Sequence, residues 1–161
     1  MSNTPYDYLY PERGHDFSFD WEYTVDERVT QDQAELLRTC EENVREILPL
    51  LGVFRDFTCT YVTGLRRGIV GCYVDGTVSH PYIAISRRAI ERAAAEYDVD
   101  IDVATESTII HELGHALQEA LGIDRESPEA EEQAESLSLF WYNHGIIAPE
   151  WANLLALAHG K

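Results

Sequence analysis

Residues 111–115 read His111-Glu112-Leu113-Gly114-His115, and they are the most informative part of the sequence. On an α-helix, positions i and i+4 lie on the same face, so both imidazole rings can reach one metal ion. Glu112 lies about 100° around the helix from His111 and can reach the space beside that ion. Zn²⁺ binds imidazole nitrogen well, and a catalytic zinc site uses three protein ligands and leaves one position for water. The stretch therefore offers two zinc ligands and a candidate general base.

The residues around this motif have the pattern of an amphipathic helix. Asp102 or Thr105 can cap its N-terminus and Gly122 can end it, so a helix is predicted from about residue 103 to 121. Gly114 inside that helix costs about 1 kcal/mol relative to alanine, which indicates that another segment packs very close to it. Apolar or small residues recur with helical spacing at Ile109, Ile110, Leu113, Ala116, Leu117, Ala120 and Leu121.

The motif leaves the third metal ligand open. The metzincin pattern needs a histidine six residues after His115, but Leu121 stands there, so that class is excluded. Asp124, just past the predicted helix, is one candidate for the third ligand.

A second predicted helix offers other candidates. It begins at Ser127-Pro128, because serine is a good N-cap and proline suits the first helical position. Glu131 lies about a quarter turn from the predicted buried stripe of this helix, so we favour it as the third ligand. Glu135, one turn later, is the alternative ligand, or else it accepts a hydrogen bond from a ligand histidine.

These elements together resemble the small gluzincin metallopeptidases, and within them the phage-immunity, repressor-cleaving type. The resemblance is carried by residues 71–73, the strand-like residues 82–86, the motif at 111–115, and Glu-Glu-Gln-Ala-Glu at 131–135. In that family a short sheet precedes the zinc helix, and the following helix carries an E-x-x-A-[ND/E] element whose first glutamate binds zinc. The resemblance covers roughly residues 68 to 143.

The resemblance implies a specific set of site residues. His111, His115 and Glu131 would be zinc ligands, and Glu112 would be the general base. The sequence departs from the family pattern at residues 137–138, where Leu-Ser replaces the usual Phe-Ala, and it shows no helix-turn-helix domain.

The expected chemistry is hydrolysis of peptide bonds. Zn²⁺ lowers the pKa of a bound water towards ~7, and Glu112 takes the proton and returns it to the departing amine. An additional donor for the oxyanion is expected, with His144 and Tyr142 as candidates by position and Tyr73 as a further one. The strand around residues 71–74 can hold an extended substrate by edge pairing.

The sequence as a whole predicts an α+β fold. We expect an N-terminal arm and strand over residues 1–29, followed by a single zincin-like domain over residues 30–161 in which a small, mostly antiparallel sheet packs on helices. The predicted strands cover 17–25, 54–63, 69–74 and 81–86. Besides the motif helix, the predicted helices cover 30–48, which Pro49 to Gly52 end, then 87–97, about 128–142 and about 149–158.

Composition restricts the partners and the location. A protein of 161 residues with 45% hydrophobic content can fill one core. The formal charge of −17 repels the phosphate backbone, which argues against nucleic-acid binding and favours basic partners. The sequence has no run of 18 apolar residues and no signal-peptide pattern, and its three cysteines are widely spaced, so we expect a cytoplasmic protein without a membrane span.

Three functions follow as hypotheses. The leading one is a zinc-dependent peptidase whose substrate is a peptide or protein, with basic substrates favoured by the charge. The second is a metal-stabilised protein-interaction module with little turnover. The third is an acidic, non-enzymatic inhibitor protein that occupies a basic surface.

Overall fold

The protein folds into helices and a small sheet, as a computed structural model shows for residues 24–51, 57–63, 65, 69–74, 82–124 and 127–159. The strands are β1 (Thr24–Val25), β2 (Thr58–Thr63), β3 (Gly71–Val74) and β4 (Tyr82–Ile85). The helices are α1 (Gln31–Val44), α2 (Leu48–Leu51), α3 (Arg87–Tyr97), α4 (Ile101–Ala120), α5 (Pro128–His144) and α6 (Pro149–His159). The predicted α+β class is confirmed.

The sheet is mixed, whereas the sequence predicts a mostly antiparallel one. Its strand order is β1-β2-β4-β3, with β2 parallel to β4 and β3 antiparallel to β4. The short β1 pairs antiparallel with β2. All four residues of β4, Tyr82–Ile85, are fully buried. A strand that is apolar on both faces is stable in the centre of a sheet, and this explains why β4 inserts between β2 and β3.

Strand β3 lies at the edge of the described sheet, next to the helix that bears the motif. The N–H of Ser86 donates to the C=O of Val70 at 2.8 Å. Because backbone groups alternate in direction along a strand, those of Gly71 and Tyr73 face away from β4. A Cβ atom at Gly71 would lie 2.8 Å from Cγ2 of Thr108 in α4, so strand and helix are in close contact.

Helices α4 and α5 pack closely along their length. A Cβ atom at Gly114 would lie 3.0 Å from Cα and 3.1 Å from Cβ of Ala134 in α5. The close neighbour predicted from Gly114 is therefore present, and it is α5.

The ends of α4 differ in part from the prediction. The helix begins at Ile101 with Asp100 as N-cap, and not after Asp102 or Thr105. Thr105 cannot act as the cap because its hydroxyl donates to the C=O of Ile101, one turn earlier. The predicted stop is correct, since Gly122 follows the helix with a φ of 78°, which glycine adopts without strain.

The first helical region extends beyond its predicted end. Thr30 and Gln33 form a capping box at the start of α1. After α1 the backbone forms a 3-10 turn over Arg45–Ile47 and then α2, so Pro49 does not end the helical region. Proline is tolerated there because the N–H groups of the first turn of a helix have no intrahelical partner. Residues 1–23 and 52–56, which include most of the predicted strand at 17–25 and the first part of the one at 54–63, lie outside the described residues.

The core lies between the sheet, α1, α4 and α6. Trp151 of α6 is fully buried, and its indole N–H donates to the backbone C=O of Gln133 at 2.7 Å, which fixes α6 against α5. Within the described ranges, every helix is too short or too polar to cross a bilayer.

Candidate metal centre

Helix α4 brings three side chains with metal-binding atoms together. The ring centroids of His111 and His115 are 4.9 Å apart. One ligand atom each from His111, Glu112 and His115 lie within 4.8 Å of one another. Glu112 and His115 are each 7% exposed, whereas His111 is partly exposed. The i, i+4 spacing thus places both rings on one side of the helix, with the carboxylate beside them.

Glu131 reaches this group from the first turn of α5. Its Oε1 lies 3.2 Å from Nε2 of His111, and its Oε2 lies 2.8 Å from Nε2 of His115. An imidazole nitrogen without a hydrogen and a carboxylate oxygen both present lone pairs, so these separations need either a hydrogen on Nε2 or a metal ion between the two atoms. Two imidazole nitrogens and one carboxylate oxygen form a donor set that suits Zn²⁺.

Glu135 contacts the opposite side of the His111 ring. Its Oε1 lies 2.9 Å from Nδ1 of His111, while Nε2 of the same ring faces Glu131. In this arrangement Glu135 orients the ring and does not approach the two converging Nε2 atoms. Burial acts to lower the pKa of His111, but the hydrogen bond to Glu135 and the charges of Glu112 and Glu131 outweigh it, so the pKa is raised.

Glu112 lies between α4 and the edge strand. Its carboxylate accepts a hydrogen bond from the backbone N–H of Tyr73 in β3. Burial raises the pKa of Glu112, although the neighbouring imidazoles of His111 and His115 act to lower it. A buried carboxyl with a raised pKa that is held in one position takes up a proton more readily than an exposed one, which is what a general base requires.

The His115 ring has a partner that the sequence does not predict. Its Nδ1 lies 2.8 Å from Oε1 of Gln118, a side chain with no exposed surface. The amide nitrogen of Gln118 donates to the C=O of Ala130 at 2.8 Å and to Oε1 of Gln133 at 2.9 Å. The only signal in the sequence is a polar residue on the apolar face of α4, three positions after His115.

An open cleft of about 860 Å³ contains the three motif side chains. It runs along β3 and the side of α4, and Ile69 and Tyr97 give it apolar walls that are 41% and 72% exposed. The described residues that line the cleft are Ile69, Val70, Gly71, Cys72, Tyr73, Tyr97, Ser107, Thr108, His111, Glu112, His115, Glu131 and Glu135.

The two predicted oxyanion donors lie elsewhere on α5 and are not among the residues that line this cleft. The hydroxyl of Tyr142 donates to Oε1 of Glu106 at 2.7 Å, five residues before His111 on α4. His144 packs against the ring of Phe140, with 5.2 Å between centroids. His144 is thirteen residues after Glu131, about 20 Å along the helix at 1.5 Å per residue. By contrast Tyr73, the further candidate, lines the cleft and contacts Glu112 through its backbone.

Asp124, the other candidate for the third ligand, lies in the connection between α4 and α5. Its backbone C=O accepts a hydrogen bond from the hydroxyl of Ser127, the N-cap of α5, at 3.1 Å. It does not line the cleft.

No protein-family model, curated protein or solved structure matches this protein. Its function must therefore be inferred from the residues of the site.

Proposed function

We propose that the protein is a zinc-dependent metallopeptidase with a zincin-like, gluzincin-type centre. One observation carries the proposal: the Nε2 atoms of His111 and His115 converge on the carboxylate of Glu131, at 3.2 and 2.8 Å, while Glu112 is buried beside them. The two histidines and Glu131 would hold the metal. When bound, Zn²⁺ supplies a Lewis acid that polarises a carbonyl and lowers the pKa of water.

Glu112 provides the proton transfers. Its carboxylate takes a proton from the attacking water and later gives it to the amine nitrogen of the departing product, so the residue ends each cycle ionised. Burial raises its pKa, which suits a group that must both accept and donate a proton near neutral pH. The N–H of Tyr73 keeps the carboxylate directed towards the cleft.

The edge strand and the cleft suit an extended peptide. The backbone groups of Gly71 face away from β4, in the direction from which a further strand would pair, whereas the N–H of Tyr73 already donates to Glu112. Glu135, which is exposed, gives the cleft an acidic rim, and the formal charge of the protein is −17. Basic peptides would therefore be attracted to the cleft, and salt would weaken that attraction.

The experiment combines metal analysis with turnover. Protein purified without added zinc is expected to carry about one ion per molecule and to cleave members of an unbiased peptide library. Glu112→Gln removes the base but none of the proposed ligands, so metal content should persist while turnover falls on the order of 10²- to 10⁴-fold. Glu119→Gln, which changes an exposed carboxylate on the same helix, is the matched control and should leave turnover unchanged.

The outcomes separate the candidate functions. Unchanged turnover in Glu112→Gln would reject the base. Bound zinc without cleavage of any library member would favour a metal-stabilised interaction module. If the protein neither binds zinc nor cleaves any peptide, the proposed metal site is wrong and the acidic, non-enzymatic binding protein is the remaining hypothesis.

A second pair of variants tests the ligand assignment. Glu131→Gln should weaken zinc binding more than Glu135→Gln, because only Glu131 approaches both Nε2 atoms. The Glu135 change leaves an amide oxygen that can still accept from Nδ1 of His111 and removes only the negative charge. Its cost in zinc affinity should therefore not exceed the about 10- to 100-fold that is usual for a partner behind a ligand ring. The reverse order would assign the metal to Glu135.

A further inference from the structure

A buried amide stands behind one of the two histidines. Gln118 is on α4, three residues after His115, and no part of it is exposed. Burying an amide costs free energy unless its donors and acceptor are all paired. Here both N–H groups and the oxygen have partners.

The partners determine which end of the amide faces the ring. The C=O of Ala130 can only accept, so the atom 2.8 Å from it must be Nε2 of Gln118. The second N–H of that nitrogen donates to Oε1 of Gln133 at 2.9 Å. The remaining atom, Oε1 of Gln118, therefore faces Nδ1 of His115 at 2.8 Å. A flipped amide would place two acceptors against each other at Ala130.

The orientation of the amide determines the tautomer of the ring. An amide oxygen accepts but does not donate, so Nδ1 of His115 must carry the hydrogen. In a neutral ring Nε2 then presents its lone pair, and Oε2 of Glu131 can stay 2.8 Å from it only with a proton or a metal ion between the two atoms. Glu131 has a side chain 62% exposed and can turn away, whereas Gln118 is enclosed and held at both ends.

We propose that Gln118 is a positioning residue that holds His115 in the Nδ1–H tautomer, with Nε2 free to bind the metal. The proposal rests on the proposed zinc site and concerns how this protein prepares it. The same amide ties His115 on α4 to Ala130, the residue immediately before Glu131 on α5. One amide thus sets both the protonation of one ligand and its distance from the helix that supplies another.

The two histidines consequently have different supports. Behind His111 stands Glu135, an exposed carboxylate, and behind His115 stands a buried neutral amide. The centre already contains the carboxylates of Glu112, Glu131 and Glu135. An amide at position 118 orients the second ring without adding a further negative charge to a buried location, where charge is costly.

The test measures the tautomer directly in metal-free protein. With ¹⁵N-labelled histidine, long-range ¹H–¹⁵N correlation at a pH where free imidazole is neutral should show His115 protonated at Nδ1. Gln118→Met removes the acceptor at similar volume, and His115 should then shift towards the Nε2–H form that a free histidine side chain prefers. In a chelator competition, the zinc affinity of this variant should fall about 10- to 100-fold.

Two further variants separate positioning from a purely structural role. Gln118→Glu keeps an oxygen for Nδ1 but loses the donor to Ala130, so it should retain the Nδ1–H tautomer while lowering the resistance of the fold to urea. Gln133→Met removes one of the two acceptors for the amide and leaves the other, so it should also lower stability without changing the tautomer.

The result that overturns the inference needs no variant. If His115 in the wild-type protein carries its hydrogen on Nε2, Gln118 does not set the tautomer, even if Gln118→Met fails to fold. The inference would also be overturned if a folded Gln118→Met protein kept both the His115 tautomer and the zinc affinity of the wild-type protein. Loss of peptidase activity alone does not bear on it, because a protein that binds zinc with the expected tautomer but cleaves nothing contradicts only the proposed function.

Discussion

The contact between β3 and α4 predicts how the edge strand tolerates a single methyl group. A Cβ atom at Gly71 would lie 2.8 Å from Cγ2 of Thr108, a separation that real Cβ atoms essentially never show. Thr108 cannot easily rotate away because it is β-branched and its hydroxyl already donates to the C=O of Ala104 at 2.9 Å. In Gly71→Ala the strand must therefore move away from the helix.

The size of the effect follows from two opposing terms. Overpacking a filled site costs about 1–3 kcal/mol. Replacing glycine by alanine in a strand returns about 0.5–1 kcal/mol, because glycine loses more conformational freedom on folding. Gly71→Ala should therefore lower the free energy of unfolding by about 1–2 kcal/mol. It should also lower peptidase turnover, since the strand carries the N–H that holds Glu112.

A second substitution isolates the clash. Thr108→Ser deletes the methyl group and keeps the hydroxyl, so in the double variant the added Cβ has room. Urea unfolding of the four proteins should give a coupling energy of about 1 kcal/mol or more in favour of the double variant. Cys72→Ala, next to Gly71 on the same strand, is the control and should not couple to Thr108→Ser. Additive effects of Gly71→Ala and Thr108→Ser would refute the close contact.

Three other changes have definite expected results. Burial raises the pKa of the Cys40 thiol to about 12 from 9.0, so between these pH values the folded state keeps a proton that the unfolded state loses. The free energy of unfolding should therefore fall between pH 9 and 12 by at most ~1.4 kcal/mol per pH unit. In urea titrations under reducing conditions Cys40→Ala should make this decline less steep, and an unchanged slope would contradict the assignment. Tyr142→Phe should lower the free energy of unfolding by about 1 kcal/mol, because the hydrogen bond to Glu106 is lost, and should leave kcat/KM unchanged. A large fall in kcat would instead indicate that Tyr142 takes part in the reaction. Gly114→Ala should weaken zinc binding and lower stability; helix propensity alone predicts a gain of about 1 kcal/mol, so a more stable variant with intact affinity would disprove the close packing on Ala134.

The helices can be predicted from the sequence because their signals are local. Ser127 followed by proline marks the start of α5, and Gly122 marks the end of α4, in each case through the conformation that those residues prefer. The predicted start of α4 is two or more residues late, since Asp100, Asp102 and Thr105 are all plausible caps and their competition is decided by packing around them.

The arrangement of the sheet cannot be predicted in the same way. The strand segments follow one another with turn signals between them, which favours hairpins. In the structure β4 lies between β2 and β3, so β2 pairs with a strand that does not follow it directly in the sequence. A strand that is apolar on both faces is most stable with a neighbouring strand on each side. Such pairing depends on burial in three dimensions, and the sequence of each strand alone does not contain it.

The same distinction holds within the site. His111, Glu112 and His115 can be recognised from the sequence because one helix fixes their relative positions. The angular positions of Glu131 and Glu135 on α5 likewise rank Glu131 first as the third ligand. The role of Gln118 is not recognisable from the sequence, because it depends on three partners from two helices, which meet only in the folded protein.

The candidate centre depends on the small distance between two helices. Along α4, His111 and His115 are four residues apart, and along α5, so are Glu131 and Glu135. The two pairs can meet only if the helix axes approach to the lower end of the usual range of about 8–10 Å, and a glycine opposite an alanine permits this. Gly114 lies between the histidines and Ala134 between the glutamates, and a Cβ atom at Gly114 would lie only 3.0 Å from Cα of Ala134. The residue that lowers the helix propensity of the motif is thus the one that lets a carboxylate reach both rings.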